Sequence, residues 1–306
     1  MIAYLSQRVV QAAGVLLGVS IITFLLAYLL PADPARMIAG RSATVATVES
    51  IREQLGLNRP LPQQYVTYLG NLVKGDFGRS YAQKADVTRI IRSRLQPTLQ
   101  LALVGILFEL LIGLPMGMIA AIKRGTWVDQ GVMAFAFVGV SAPQFVVGLL
   151  LLYFFAYLVP VFPLGGYGTF KHIVLPAIAV GLAGGGWYAR VTRSAMIDVL
   201  RQDYVRTARA KGVFPSKVVF KHVLKNAVLP VVALVGLDIG VFMGGIVIVE
   251  SVFGWPGIGQ MIWQAIQLVD IPVIMGGVLV TALFVVLGNL LADLVYPALD
   301  PRIRYS

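Results

Sequence analysis

The sequence DYVRTARAKGVFPSKVVFKHVLKNAVLP, Asp203 to Pro230, is the most basic segment of an otherwise apolar chain. It spells two short helices with a break between them. Tyr204, Thr207, Ala208 and Lys211 recur at helical spacing. Gly212 follows, a residue that can take the left-handed conformation that ends a helix. Pro215 suits the first turn of a second helix, because its missing N–H would have no partner there. In that second helix Val218, Val219 and His222 recur at helical spacing, as do Phe220, Val223 and Leu224, while Lys217, Lys221 and Lys225 share one face. Apolar runs lie on both sides. A basic loop between membrane spans can simply fix topology. A helix, a glycine and a second helix suggest more, a docking surface for a soluble partner.

The surrounding chain supports a membrane setting. Its 306 residues are 58% hydrophobic and 13% charged, with mean hydropathy +0.82. Soluble domains carry about a quarter charged residues. Cysteine is absent, which excludes a disulfide framework and thiolate chemistry. The two histidines, His172 and His222, make a histidine-rich metal site an unfavourable reading. The net charge of +11 flanks apolar spans, so topology explains it better than nucleic acid does.

Val9–Leu30 is an apolar run of 22 residues, enough to cross the hydrocarbon core and too long for a cleaved signal's apolar region. Residues 31–97 form the longest polar region. In it Val48, Ile51 and Leu55 suit a short helix stopped by Gly56, and Tyr65, Tyr68, Leu69 and Leu72 a second stopped by Gly75. Asp86 suits the N-cap of a third, through Val87, Ile90 and Ile91. This region reads as a packed cap, or as a receiver for a binding protein. Thr98–Ile122 is the second span, broken by Gly113, Pro115 and Gly117. Gln130–Val159 is the third, long enough to tilt, with Pro143 opening a carbonyl near its middle. Ile173–Met196 is the fourth, where Gly181, Gly184, Gly185 and Gly186 permit close helix approach. Val228–Val249 is the fifth and Pro272–Tyr296 the sixth. Between them Glu250–Ile271 reads as a short re-entrant or interfacial helix, with Trp255 and Trp263 at the interface. No internal repeat or low-complexity segment is visible.

Lys and Arg set the orientation. The loop 123–129 holds two, 197–226 seven, 160–172 one and 251–271 none. Both termini and the basic loop are therefore expected in the cytoplasm. No phosphate-binding GxxxxGK[ST] loop or HExxH is present. Ionisable groups within the spans are functional candidates, because charge is costly in lipid. These are Glu109, Asp238 and Asp293, either paired with Arg190 or Arg193, placed at the edge of the bilayer as Asp293 near the inner end suggests, or lining a path for a charged solute.

The basic segment resembles the cytoplasmic loop of bacterial binding-protein-dependent ABC importers, with its EAA, three residues and Gly. Gly212 matches the Gly, and Arg206-Thr207-Ala208 stands where Glu-Ala-Ala would be, a departure at the acidic position. LPADPAR at Leu30–Arg36, GDFGRS at Gly75–Ser80, VFGWPGIG at Val252–Gly259 and the DPRIRY end resemble the dipeptide/oligopeptide permeases in particular. The resemblance implies an all-α, six-span, type I importer-like permease. Its parts would be an N-terminal span and outer helical segment, 1–97, and a core of five spans, 98–306, with the coupling loop at 197–226. Tyr204, Arg206, Thr207, Ala208, Arg209, Lys211 and Gly212 would couple to an ATPase. Thr207 and Ala208 would face the ATPase groove. Glu109, Gln144 and Asp238 would line the path. Glu250, Trp255 and Gln260 would form an outer gate or touch a binding protein. The implied partners are a second homologous permease, two ATP-binding cassette subunits, a periplasmic or lipid-anchored substrate-binding protein and the bilayer. ATP and magnesium belong to the partners, with no cofactor on this chain. The implied cargo is a di- or oligopeptide; glutathione, nickel complexes and oligosaccharides are the alternatives. A secondary transporter with Asp238 or Glu109 as proton site is the rival class.

Overall fold

The computed structural model describes residues 2–29, 33–40 and 42–299, with side chains over 6–27, 33–40 and 42–291. Leu30–Ala32 of the LPADPAR motif, the DPRIRYS end and the Asp293 side chain lie outside the described residues.

Helix α1 (Ile2–Leu29) is apolar over Ser6–Ala27, long enough to cross a bilayer. Asp33 caps α2 (Pro34–Ala39), its carboxylate accepting from the N–H of Ala35 at 3.1 Å and of Arg36 at 3.4 Å. The Thr44 hydroxyl caps α3 (Val45–Gln54) in the same way. Helices α3 and α4 (Leu61–Val73) end at Gly56 and Gly75, where the sequence places their stops. At both glycines φ is positive, and paired hydrogen bonds return to the last turn, from Gly56 to Glu53 and Leu57 to Arg52, and from Gly75 to Leu72 and Asp76 to Asn71.

The expected third short helix is instead the start of α5 (Val87–Ile122), 36 residues long and continuous through Pro97 and Pro115. Each proline removes one hydrogen bond, too little to stop a helix of this length. The expected third span is likewise different. It is two helices, α6 (Trp127–Ser141) and α7 (Gln144–Leu152), meeting at 97°, with a π turn at Tyr153–Leu158 continuing α7. The cause is local: Pro143 pushes the preceding Ala142 out of the helical region, to ψ 127°.

Thr169 and His172 cap α8 (Phe170–Leu200), their side chains 2.8 Å apart. The basic segment holds α9 (Asp203–Ala210), α10 (Pro215–Lys217), a π turn at Val218–Val223 and α11 (Leu224–Ala227). It runs at a 48° kink into α12 (Leu229–Met243), near Pro230. Helix α12 stops short of the expected Val249, because Gly244 and Gly245, the latter at φ 91°, turn the chain into α13 (Val247–Val252). Helices α14 (Ile258–Gln267) and α15 (Ile271–Leu299) complete the described chain. Among the described residues four helices are long and apolar enough to span a membrane, and up to six spans result if each bent pair counts as one.

The chain divides into two compact units. One comprises Met1–Gln96 with Gly257–Leu283, the other Pro97–Pro256 with Phe284–Ser306. In the first, the Ser20 and Tyr65 hydroxyls join α1 to α4 at 2.7 Å, and Phe24 packs edge-on to Tyr65 and stacked on Tyr68. Buried Asp270 accepts from the Ser80 hydroxyl, from Tyr81 N–H at 3.0 Å and from Ala82 N–H at 3.3 Å. This fastens the end of the GDFGRS motif to the turn before α15.

In the second unit, α5 and α8 touch along glycines. A Cβ at Gly117 would lie 2.5 Å from the Ala189 carbonyl, and one at Gly181 would lie 2.5 Å from Phe108 Cβ. The expected break of this span at Gly113, Pro115 and Gly117 does not occur, since α5 runs through all three; Gly117 lets the backbones meet, as Gly181 on α8 was expected to do. Helix α6 is tied to α8 by a two-pronged ion pair, Arg193 Nε and Nη2 to the Asp129 carboxylate at 2.6 and 2.7 Å. A core of Leu101, Leu175, Val180, Phe253 and Trp255 fills one end of the unit.

Candidate functional site

The α9 element is built from both of its faces. Val205 and Ala208, three apart, turn inward and pack with Met196, Val218 and Val223. Ala208 is only 8% exposed. The expectation that Ala208 faces outward with Thr207 is therefore corrected: Ala208 shares the inward stripe of Val205 and is taken up by the cluster beneath it. Thr207 is the exposed one. The outward face carries Asp203, Arg206, Thr207 and Ala210, and the Arg206 side chain is 77% exposed. Arg206 lies 3.6 Å from Asp203 on its own helix, a pair too exposed to hold it. Arg209 and Lys211 are exposed as well.

Gly212 ends α9 at φ 72°. Its N–H returns to Arg209 at 3.0 Å, and that of Val213 to Ala208 at 3.2 Å, while Val213 packs on the same cluster as Ala208. Tyr204 does not point freely at a partner. Its hydroxyl donates to the His222 carbonyl at 3.4 Å and accepts from Asn226 Nδ2 at 2.7 Å. It staples α9 to the second helix.

The second helix departs from the expected faces. The π turn widens it, so Val218, Val223 and Ala227 form the buried stripe, at steps of five and four. Val219 and His222 are only partly covered, and Phe220 is exposed. Lys217, Lys221 and Lys225 are all exposed. The result is a hairpin with an apolar inner surface and a cationic outer one on which Phe214 and Phe220 also stand exposed.

Within the spans, Glu109 on α5, Tyr188 on α8 and Asp238 on α12 come together. The Tyr188 hydroxyl donates to Asp238 Oδ2 at 2.5 Å, and the two carboxyl groups adjoin each other. Glu109 is 2% exposed, its Oε1 pressed against Gly184 and its Oε2 without a hydrogen-bond partner. Asp238 is only partly buried. Neither pairs with the arginines that the sequence offered. Arg193 is taken by Asp129, and Arg190 lies over the Trp187 ring at 5.1 Å. Gln144 opens α7 directly after the bend and is half-buried, with no hydrogen bond to this cluster among the described residues.

The outer group is also redrawn. Glu250 and Trp255 are 0% and 1% exposed, so neither can touch a binding protein from this surface, nor is Trp255 an interfacial anchor. Thr98 donates to Glu250 at 3.3 Å, and the Trp255 indole donates to the Pro97 carbonyl at 2.9 Å. Tyr167 meets the indole edge-on and donates to Gln100 at 2.9 Å. An apolar fold with tryptophan in it has two places for the ring, the lipid interface or the core, and here the Pro97 carbonyl satisfies the indole in the core. Gln260, on α14, is half-buried.

Sequence reasoning missed Tyr188, Asp129, Asn226 and Asp270. Asp129 carried a signal, a carboxylate at the foot of an apolar run; the others carried none without a partner in view.

Residues 113–305 match the family described as binding-protein-dependent transport system inner membrane component, and residues 1–102 match its N-terminal counterpart. The chain is 41% identical, over 306 residues and 100% of both chains, to the glutathione transport system permease protein GsiC of Pectobacterium atrosepticum. It is equally similar over the same length to that of Escherichia coli K12. Among solved structures it resembles the MetNI methionine ABC transporter in inward-facing crystal forms. Identities are 22% and 20% and TM-scores 0.56 and 0.59, over 69% of this chain and 96% of that one. This likeness shows the fold, that of a type I importer permease.

Proposed function

Because this chain belongs to the family of binding-protein-dependent transport system inner membrane components, we propose that it is the permease subunit of an ATP-driven importer of glutathione or similar small peptides. The observation that carries the importer reading is the α9 hairpin. Its inner face is packed into the chain, its end is locked at Gly212, and its outer face is cationic and unpartnered in shape. Such an element can transmit a push without deforming.

Its partners would be a second homologous permease, two ATP-binding cassette subunits carrying ATP and magnesium, and a substrate-binding protein outside. The Lys and Arg distribution supports a cytoplasmic position for both termini and for 197–226. Closure of the ATPases on ATP would draw the α9 elements together and convert the spans from inward- to outward-facing. Arg206, Thr207, Arg209 and Lys211 would meet the ATPase, with Ala208, Tyr204 and Gly212 holding the element in shape. The Asp238 carboxylate, half-exposed, would line the path, with Glu109 and Tyr188 behind it, and Gln144 would line it separately at the start of α7.

The cargo rests on the full-length relatives, whose names specify glutathione transport. Glutathione is a tripeptide, so this reading narrows the peptide class that the motifs imply. The test is uptake of labelled glutathione into proteoliposomes holding the complete transporter and its binding protein. ATP-dependent uptake is expected. Uptake driven by an ion gradient without ATP would return the secondary-transporter reading, and uptake of dipeptides alone would move the cargo.

A further inference from the structure

The outer helix α4 lies alongside the span α1, not beyond it. Tyr65 on α4 bonds to Ser20, which stands seven residues before the end of the apolar stretch at Ala27. At about 1.5 Å per residue that is roughly 10 Å inside the stretch. On a flank about 80–100° round from Tyr65, α4 exposes Val66 and Val73, at 67% and 89%. Apolar side chains on a helix at this depth suit the boundary between headgroups and acyl chains.

A cavity of about 680 Å³ opens between α4, the outer end of α1 and the start of α15. Its wall includes Phe24 and Met275, residues of two membrane spans, and Tyr68. The Tyr68 hydroxyl is buried without a well-formed hydrogen bond. Burial pushes this phenol above its ordinary range, so it stays an O–H donor. Three arginines stand among the lining residues. Arg52 is occupied by Asp33 and Glu49. Arg59 and Arg79 have no carboxylate partner among the described residues: Arg59 lies along Gly56, and Arg79 gives Nε and Nη2 to the Lys84 carbonyl. The remaining rim carboxylate, Asp76, accepts from the Gly78 N–H.

We propose that this cavity binds an anionic phospholipid, with its phosphate held by Arg59 and Arg79 and an acyl chain lying along Phe24 and Met275. Guanidinium groups match phosphate oxygens in a two-pronged geometry. A soluble anion would satisfy the arginines and leave the apolar wall wet; an acyl chain covers it. This site is independent of the transport cargo.

The test is native mass spectrometry of the intact transporter, titrated with phosphatidylglycerol and with phosphatidylcholine. At least tenfold preference for phosphatidylglycerol is expected. Arg59→Gln with Arg79→Gln should abolish that preference, while Arg36→Gln, an exposed arginine outside the cavity, should keep it. A diazirine placed on the acyl chain should crosslink to the peptides bearing Phe24 or Met275, which reads the site even if the double variant does not assemble. Equal binding of the two lipids, crosslinks only elsewhere, or displacement by inorganic phosphate or glutathione would each overturn the proposal.

Discussion

The indole N–H of Trp255 donates to the backbone carbonyl of Pro97 at 2.9 Å, which fastens the turn after α13 to the body of α5. Trp255→Phe removes that donor, and a buried neutral hydrogen bond contributes about 1 kcal/mol. Trp255→Ala also opens a void, a change that costs about 3–5 kcal/mol in cores. Thermal unfolding of the purified protein in detergent should rank wild type above Trp255→Phe and Trp255→Ala lowest. Equal melting of all three would show that the pin bears no weight.

The contact between α5 and α8 admits nothing larger than hydrogen. Gly117→Ala places a methyl 2.5 Å from the Ala189 carbonyl and 2.6 Å from Thr192 Cβ. Overpacking of this kind costs roughly 1–3 kcal/mol. Gly131→Ala on α6 meets nothing within 4 Å and should be neutral or up to about 1 kcal/mol more stable. The comparison of the two melting temperatures separates close packing from a general cost of losing glycine.

On α9 the two faces should respond differently. Thr207→Trp changes only the exposed surface, so stability should hold while ATPase stimulation by the loaded binding protein falls. Ala208→Trp forces a large ring into the Val205 and Val218 cluster and should lower the melting temperature of the chain itself. Gly212→Val puts a β-branched residue at φ 72°, a strain of about 1–3 kcal/mol, and should also uncouple. If Thr207→Trp keeps full stimulation and uptake, the docking face has been misplaced.

Asp238→Asn keeps the shape and an acceptor for Tyr188 but removes an ionisable group from the half-exposed side of the cluster. Uptake should drop severalfold with assembly intact. Failure to assemble would instead assign Asp238 to packing, with Glu109.

Single cysteines at Ser50 and Ser216, both exposed, report orientation. In intact spheroplasts an impermeant thiol reagent should label Ser50→Cys and spare Ser216→Cys until the membrane is opened. The reverse pattern would invert the topology.

The helix ends were legible in the sequence because they are local demands. Gly56, Gly75 and Gly212 each sit where the chain needs a positive φ, and each is marked by a glycine directly after a run at helical spacing. The spans were legible from length and hydropathy, and the family from its motifs. What escaped was pairing over distance. Arg193 finds Asp129 64 residues away and Tyr188 finds Asp238 50 residues away, and periodicity within a helix carries nothing about which helix stands opposite. The bend at Pro143 was signalled in kind but not in size, since a proline permits a range of angles and the neighbours choose among them. The inward turn of Ala208 was hidden because alanine suits both an apolar cluster and a close docking face.

The π turn at Val218–Val223 also bears on how the chain can change its length. In an ordinary helix the loss of one residue turns everything downstream by about 100° and scrambles the buried stripe. Here Val218 and Val223 already share a face across five steps. Deleting one residue between them, such as Lys221, would restore a four-step spacing and leave Val223, Ala227 and the helix beyond them facing as before. The wide turn thus acts as slack, a place where a single codon can be dropped from the hairpin while the downstream register survives.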